Sequence, residues 1–560
     1  MNDRIDSALG YQKADIVLRN AKYVNVFTNE LLDGYIAIKD GYFVGIGDYE
    51  GICEIDLKGK TVIPSFIDSH IHLESSIVSP YEFAKAVIPH GTTAVVADPH
   101  EIANVIGTDG IDYMFQATEG LPIDVRFMLP SCVPATPMDE SGANLDYRAI
   151  DSFYDYPRVQ GLAEMMNSYG VIHNDAEVVS KIVASQAHHK KIDGHAPGLQ
   201  GKDLDTYVAA GVYSDHECAT MEDALAKLQR GQFIMIREGT AARNLEALAP
   251  LLTPQYAERC MFCTDDKHPS DLLEKGHIDY IAREAINKYG VDPIIAVKAA
   301  CHHASRYFLL NNRGAIAPGY LADFAVIDNF KDFNVEMVFK KGVLYWNNGE
   351  LRDFEAPKIE EYLDKRAHDT FHVSTLTPDD FRDTRQRGVL GMVPGEIITT
   401  DNGYADHVDL EKDILKIAVV ERHKGTHHIG LGYIQGYGLK SGAVATSISH
   451  DSHNIIVVGT NSADMAFAAN YIVEHHGGIV VVENGTVKGS VVLEIAGIMS
   501  DRPLTEVNDQ LEAAKDAAFT LGVSRGIDPF MTLSFMALPV IPKLRITTRG
   551  VVDVDTQQYV

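Results

Sequence analysis

Two histidines one residue apart close a short apolar run at Ile67-Asp68-Ser69-His70-Ile71-His72. On a β-strand, residues i and i+2 point to the same face, so His70 and His72 would stand side by side at the strand's C-terminal end. Neutral imidazoles placed there are good ligands for Zn, Mn or Fe. Alone, His-x-His is a weak signal, because most such pairs are structural or solvated. Other candidate strands end in the same way, however. Glu164 closes Gly161-Leu162-Ala163-Glu164, and His195 closes Ile192-Asp193-Gly194-His195. His216 closes Tyr213-Ser214-Asp215-His216, and Asp265 closes Phe262-Cys263-Thr264-Asp265. Singly, each is as readily a satisfied core polar group, or for Asp265 a helix N-cap. Together, four histidines and two carboxylates suffice for two cations, with Glu164 able to bridge them.

Residues of this kind act together only if their strands end at one place. After Pro64 the sequence alternates strands with helices, and candidate strands end near His72, Asp98, Pro130, Glu164, His195, His216, Glu238 and Asp265. Between them Met221, Ala224, Leu225 and Leu228 fall at i, i+3, i+4 and i+7, and Val178, Ile182 and Val183 make a similar stripe. Eight strand–helix units in about 240 residues predict a TIM-like (β/α)8 barrel over residues 64–316. Active sites of that fold collect at the C-terminal ends of the strands. A doubly wound open sheet is the rival, but it would not need eight regular units. Two helices, Ile278–Tyr289 and Ile294–Phe308, are expected to follow the last strand.

Residues 1–63 read as short β-segments (Ile16–Arg19, Tyr35–Lys39, Tyr42–Ile46 and Thr61–Ile63) with a hairpin turn at Asp40-Gly41. Short strands resume after Pro318-Gly319 and run to about Trp346. Residues 1–63 and 317–369 are therefore expected to pair as one split, β-sandwich-like domain. Residues 370–560 read as a C-terminal α/β domain. It carries a buried-strand signal at Ile455–Val458, a helix from Ala463 to His475 and a hairpin at Asn484-Gly485.

The chain has 560 residues, 46% hydrophobic and 23% charged, enough apolar material for substantial cores. Its charge, 49 − 78 = −29, disfavours nucleic acid and anionic membranes, which draw on clustered Lys and Arg. A small neutral or cationic ligand fits better. The six cysteines are few and irregular, no signal peptide is apparent, and no apolar stretch reaches the roughly 18 residues of a membrane span. These features point to a cytoplasmic protein. Cys260 and Cys263 with His72-Leu73-Glu74 imitate a zinc deaminase signature. The halves lie far apart, and Arg259 stands where that signature has proline, so no cysteine metal site is expected. Of the doublets His188-His189, His302-His303, His427-His428 and His475-His476, most read as solvated or capping residues, since neighbours rarely share a face.

The ordered ligand set resembles the amidohydrolase superfamily. The flanking stretches Pro64–Ser76, Asp98–Val105, Gly194–Pro197, Ser214–Glu217 and Thr264–Asp266 are similar to the bacterial adenine deaminases. So is Ala445–Asn454, with the run Ser449-His450-Asp451-Ser452-His453. The resemblance spans nearly the whole chain; one departure is Ser65, where superfamily members usually have Gly. It implies hydrolysis of adenine, as the free base, to hypoxanthine and ammonia in purine salvage or catabolism. The implied cofactors are two divalent cations, foremost Mn2+, with Fe2+ or Zn2+ as alternatives, on His70, His72, Glu164, His195, His216 and Asp265. Asp265 would take the proton from an activated water and pass it toward the departing amine. His216 could also polarise the site. Glu217 and Glu101 are the candidates for the acid at the ring nitrogen, although strand alternation would turn Glu217 away unless its strand has already ended. Hydantoinase- and dihydroorotase-like relatives instead use a carboxylated lysine on the fourth strand. The stretch Tyr154–Gln160 offers only Arg158, so a carboxylate bridge is favoured. His450 and His453 are expected near the barrel mouth, with turn hydrogen bonding as the alternative. A homo-oligomer, dimer or larger, is also expected.

Overall fold

Eight strands that run parallel to one another carry the expected site residues. A computed structural model describes residues 1–382, 385–393, 396 and 398–560. In it the strands are β1 (Phe66–Ile71), β2 (Thr92–Ala97), β3 (Asp124–Leu129), β4 (Val159–Met165), β5 (Lys191–Gly194), β6 (Ser214–Asp215), β7 (Phe233–Arg237) and β8 (Cys260–Cys263). Strands β1 to β5 form one parallel sheet in chain order, and β6 to β8 a second. The Tyr213 amide donates to the Ile192 carbonyl (2.8 Å) where β6 follows β5. At the other edge, Ile71 and Asp265 pair as a parallel bridge between the ends of β1 and β8. Every residue of β1, β2 and β8 is buried, the pattern of parallel strands covered on both faces.

A nine-stranded sheet joins segments from both sides of this unit. Strand Thr61–Pro64 lies antiparallel to Phe324–Ile327, with Ile63 opposite Ala325. Within it the hairpin from Glu30–Lys39 to Tyr42–Ile46 turns on Asp40 and Gly41, at φ 50° and 75°. Two successive positive φ angles make the turn whose twist matches the flanking strands. Beyond residue 387 an eight-stranded sheet contains Ile455–Gly459, and helix Ser462–Glu474 packs on it. The turn at Asn484-Gly485 again has both φ angles positive. A helix, Pro529–Phe535, and a three-stranded sheet complete this part. Among the described residues no helix is long and apolar enough to cross a membrane.

Two expectations are corrected here. The segment expected as one helix over Ile294–Phe308 is helix Pro293–Val297, a π-turn Lys298–His302 and helix His303–Tyr307. The wider turn breaks the 3.6-residue period and lets both members of one doublet face inward. His302 and His303 are consequently buried, and their Nδ1 atoms lie 3.2 Å and 2.8 Å from the Gly314 and Cys260 carbonyl oxygens. They are core histidines, neither solvated nor capping.

Candidate metal centre

The strand ends deliver the site residues to one point because backbone hydrogen bonds tie the first strand to the last. Asp265 sits just past β8 in the left-handed region (φ 60°); its amide donates to the His70 carbonyl (2.9 Å) and its carbonyl accepts from the His72 amide (3.3 Å). Asp68 reinforces the joint, its Oδ1 accepting from the His70 and Thr264 amides at 3.2 and 3.1 Å. On the opposite side, Lys227 is wholly buried. Its Nζ donates to Asp215 Oδ2 (2.9 Å), Asp223 Oδ2 (3.0 Å) and the Ala196 carbonyl (2.7 Å). Ala196 follows His195 and Asp215 precedes His216, so this ammonium fixes two site histidines at once. Lys227→Met strands buried carboxylates and is expected to lower unfolding stability by about 3–5 kcal/mol. A denaturation midpoint equal to that of the unsubstituted chain would contradict this.

All six residues expected as ligands meet in one buried cluster. His72 Nε2 lies 3.1 Å from Asp265 Oδ1 and 3.3 Å from Glu164 Oε1; His70 Nε2 lies 3.4 Å from Asp265 Oδ1. The other carboxylate oxygen of Glu164 lies 2.8 Å from His195 Nδ1 and 3.2 Å from His216 Nε2. Glu164 therefore separates two groups of nitrogen donors, one on each of its oxygens. His72 Nδ1 is 3.1 Å from the Asp98 carbonyl oxygen, which takes its proton and leaves Nε2 as the donor atom facing the cluster. His70 Nε2 is buried and has no hydrogen-bond partner.

Burial would push the Glu164 carboxyl up, but the imidazoles of His195, His216 and His72 set against its two oxygens outweigh it and hold it well below the usual range. Burial opposes ionisation of Asp265 as well, and Arg237, His70 and His72 keep it ionised. The histidines show the converse. Burial would lower His72 and His216, yet the carboxylates raise both well above the ordinary imidazole value. The cluster is an anionic field that favours added positive charge, whether as protons or as cations.

A cavity of about 260 Å³ opens on this cluster. Glu217 lines it, with Oε1 at 3.3 Å from His216 Nε2 and 3.5 Å from His195 Nδ1. The β6 strand ends at Asp215, so alternation no longer turns Glu217 away. Arg237, the last residue of β7, binds both Glu217 oxygens (2.5 and 3.0 Å) and also Asp265 Oδ2. Burial disfavours the Glu217 anion, but Arg237 and His195 hold its carboxyl far below the usual range. Glu101 reaches the cavity from helix His100–Ile106 but contacts His450 (3.2 Å) and His453 (3.3 Å). The opposite wall comes from the C-terminal part, with Ile398, Phe535, Leu538, Val540 and Ile541 presenting an apolar face.

Three neighbours were missing from the sequence reading of the site. His100 stands 3.7 Å from Glu164 Oε1 and 2.9 Å from Asp98 Oδ2, and Asp451 lies 3.8 Å from its Nε2. Asp98-x-His100 repeats, one strand on, the i, i+2 spacing of His70-x-His72, and that was the available signal. Arg237 had none: a lone arginine before Glu238 reveals its two carboxylate partners only once β7 lies between β6 and β8.

Residues 61–345 match the amidohydrolase family, and residues 396–558 match the adenine deaminase C-terminal domain. An adenine deaminase of Desulfatibacillum aliphaticivorans is 45% identical over 99% of this chain and 98% of its own length. That of Nitratidesulfovibrio vulgaris strain DP4 is 45% identical over 100% and 98%, and adenine deaminase 1 of Rhizobium meliloti is 43% identical over 98% of each. Since the likeness runs through the parallel-strand unit and the C-terminal part alike, the chain belongs to the adenine deaminase family of amidohydrolases.

Proposed function

We propose that this protein hydrolyses adenine to hypoxanthine and ammonia at two divalent cations, foremost Mn2+. The observation that carries the two-cation reading is Glu164, whose two oxygens each face a separate set of nitrogens. His70 Nε2, buried without a partner, fits a ligand that awaits an ion. His70, His72 and Asp265 would hold one cation and His195 and His216 the other, with Glu164 between them. Bound there, the pair supplies a water ionisable near neutral pH. In the same reading, β1 to β8 close as a (β/α)8 barrel over residues 64–316. It is flanked by one β domain (1–63 with 317–369) and followed by the C-terminal domain (370–560).

The chain's own groups then do the following. Asp265 Oδ2 is held by Arg237 while Oδ1 faces the histidines, so this carboxylate takes the water's proton and passes it to the departing amine. His216 adds polarisation from the far side of Glu164. We assign the proton at the ring nitrogen to Glu217, which stands on the cavity wall beside His195 and His216. Because Arg237 keeps it ionised, Glu217 must take up a proton before it donates one to the ring nitrogen; the proton left on the attacking oxygen replaces it, so that the water's two protons end on the amine and on the ring. Glu101, the other candidate, has both oxygens turned to His450 and His453. The neutral base lies against the apolar wall, and no basic surface is required. A cytoplasmic homo-oligomer without nucleic-acid or membrane partners completes the reading, in keeping with the net charge of −29.

Phe535 stacks on His450 (centroids 4.6 Å apart, 19° between planes) and is the aromatic residue of that wall. Phe535→Ala is expected to raise KM for adenine about tenfold, the scale of one lost base–aromatic contact. Steady-state kinetics with an unchanged KM would remove Phe535 from the purine site. The reaction itself is tested by ammonia release from adenine.

A further inference from the structure

Outside the strand-end cluster, Glu101, His450 and His453 bring one carboxylate and two imidazoles together from opposite sides of the cavity. Glu101 belongs to helix His100–Ile106, and the histidines to the loop after strand Ala443–Thr446. They are 2%, 6% and 0% exposed. His450 Nδ1 lies 3.2 Å from Glu101 Oε1 and His453 Nε2 3.3 Å from Oε2. One ligand atom from each residue lies within 4.8 Å of the others.

On His453 both ring nitrogens are buried and neither makes a well-aligned hydrogen bond, although Nε2 stands 3.3 Å from Glu101 Oε2. His70 Nε2 shows the same combination, 3.4 Å from a carboxylate oxygen and unbonded. An imidazole this near a carboxylate whose N–H is not aimed at it shares a focus with it instead. Nitrogen and oxygen ligands held at 2.0–2.2 Å on one ion lie about 3 Å from each other, which is the spacing seen.

The loop is braced for such a task. Arg422 is wholly buried; its Nε donates to the His453 carbonyl, Nη1 to Thr370 Oγ1 (2.9 Å) and Nη2 to the Ala496 carbonyl (2.8 Å). His423 Nε2 lies 2.7 Å from the Ser452 carbonyl oxygen, and Asn454 Nδ2 donates to the Glu140 carbonyl (2.7 Å). His453 itself has φ 50°, and the His450 ring is clamped by stacking on Phe535. Fixing ligand orientation from behind in this way is how metal sites gain affinity.

We propose that Glu101, His450 and His453 bind a further divalent transition-metal cation, distinct from the strand-end pair, which fastens the C-terminal part to the parallel-strand unit. Two imidazoles and a carboxylate suit Zn2+, Mn2+ or Fe2+. The link joins residues some 350 positions apart in the chain and anchors the wall that carries Phe535. It stands independently of the reaction assigned above.

The test is anomalous diffraction at the Mn edge from crystals of the full chain loaded with Mn2+. A peak within bonding distance of Glu101, His450 Nδ1 and His453 Nε2 together is the expected result. Strand-end peaks with none at this triad would overturn the proposal; a triad peak without strand-end peaks would support it while refuting the two-cation reading. By mass spectrometry His453→Ala should lose one cation per chain, and an unchanged content would overturn it. Should that variant not fold, the map of the unsubstituted chain decides alone.

Discussion

Asp265→Asn is expected to lower kcat for adenine by about 10⁴-fold while most of the bound metal remains. The side chain is nearly the same size, and its position is set by backbone bonds to His70 and His72 that the substitution leaves intact. What disappears is the basic oxygen proposed to take a proton and the charge that Arg237 Nη1 and two imidazoles converge upon. Base catalysis and orientation of the attacking water fail together. Kinetics alongside metal analysis check this, and turnover within tenfold of the unsubstituted chain would contradict the assignment.

Glu164→Gln should lose about one cation per chain and reduce turnover by 10²-fold or more. Only a carboxylate offers two equivalent acceptor oxygens, and here one serves His72 while the other serves His195 and His216. An amide presents a nitrogen to one of those sides. The same loss of charge returns the surrounding imidazoles toward their ordinary pKa, because hydrogen bonds and charge from Glu164 help raise His72 and His216 above it. A variant that retains the full cation content of the unsubstituted chain would show that Glu164 is not the bridge.

The placement of these two residues is legible in the sequence, and the reason is periodicity. A strand has a fixed two-residue repeat, and a parallel strand–helix repeat puts every strand end on one side. Residues such as His70, His195 and Asp265, at the ends of β1, β5 and β8, are then neighbours despite long separation in sequence. The hairpins at Asp40-Gly41 and Asn484-Gly485 were legible for a similarly local cause, the need for two positive φ angles. What was not legible depended on packing between elements. Arg237 carries no sign of Glu217 and Asp265 as partners, and Lys227 looks like any lysine on an amphipathic helix until its ammonium is seen against Asp215 and Asp223. The inward pair His302-His303 rests on a π-turn that helix periodicity does not anticipate. The apolar wall facing the cluster comes from Ile398 and from Phe535 to Ile541, more than 130 and more than 260 residues beyond Asp265, and no spacing rule connects them.

If cations bound at the strand ends serve the deamination of adenine, stripping the purified chain with a chelator and reloading it with Mn2+ must switch the reaction off and on, read as ammonia release from adenine beside adenosine, guanine and cytosine. Negligible release is expected from the stripped chain. On reloading, rapid release from adenine is expected, with hypoxanthine formed in equal amount and far slower release from the other three. A metal-loaded chain that leaves adenine intact, or a stripped chain that deaminates it at full rate, would overturn this reading of the site.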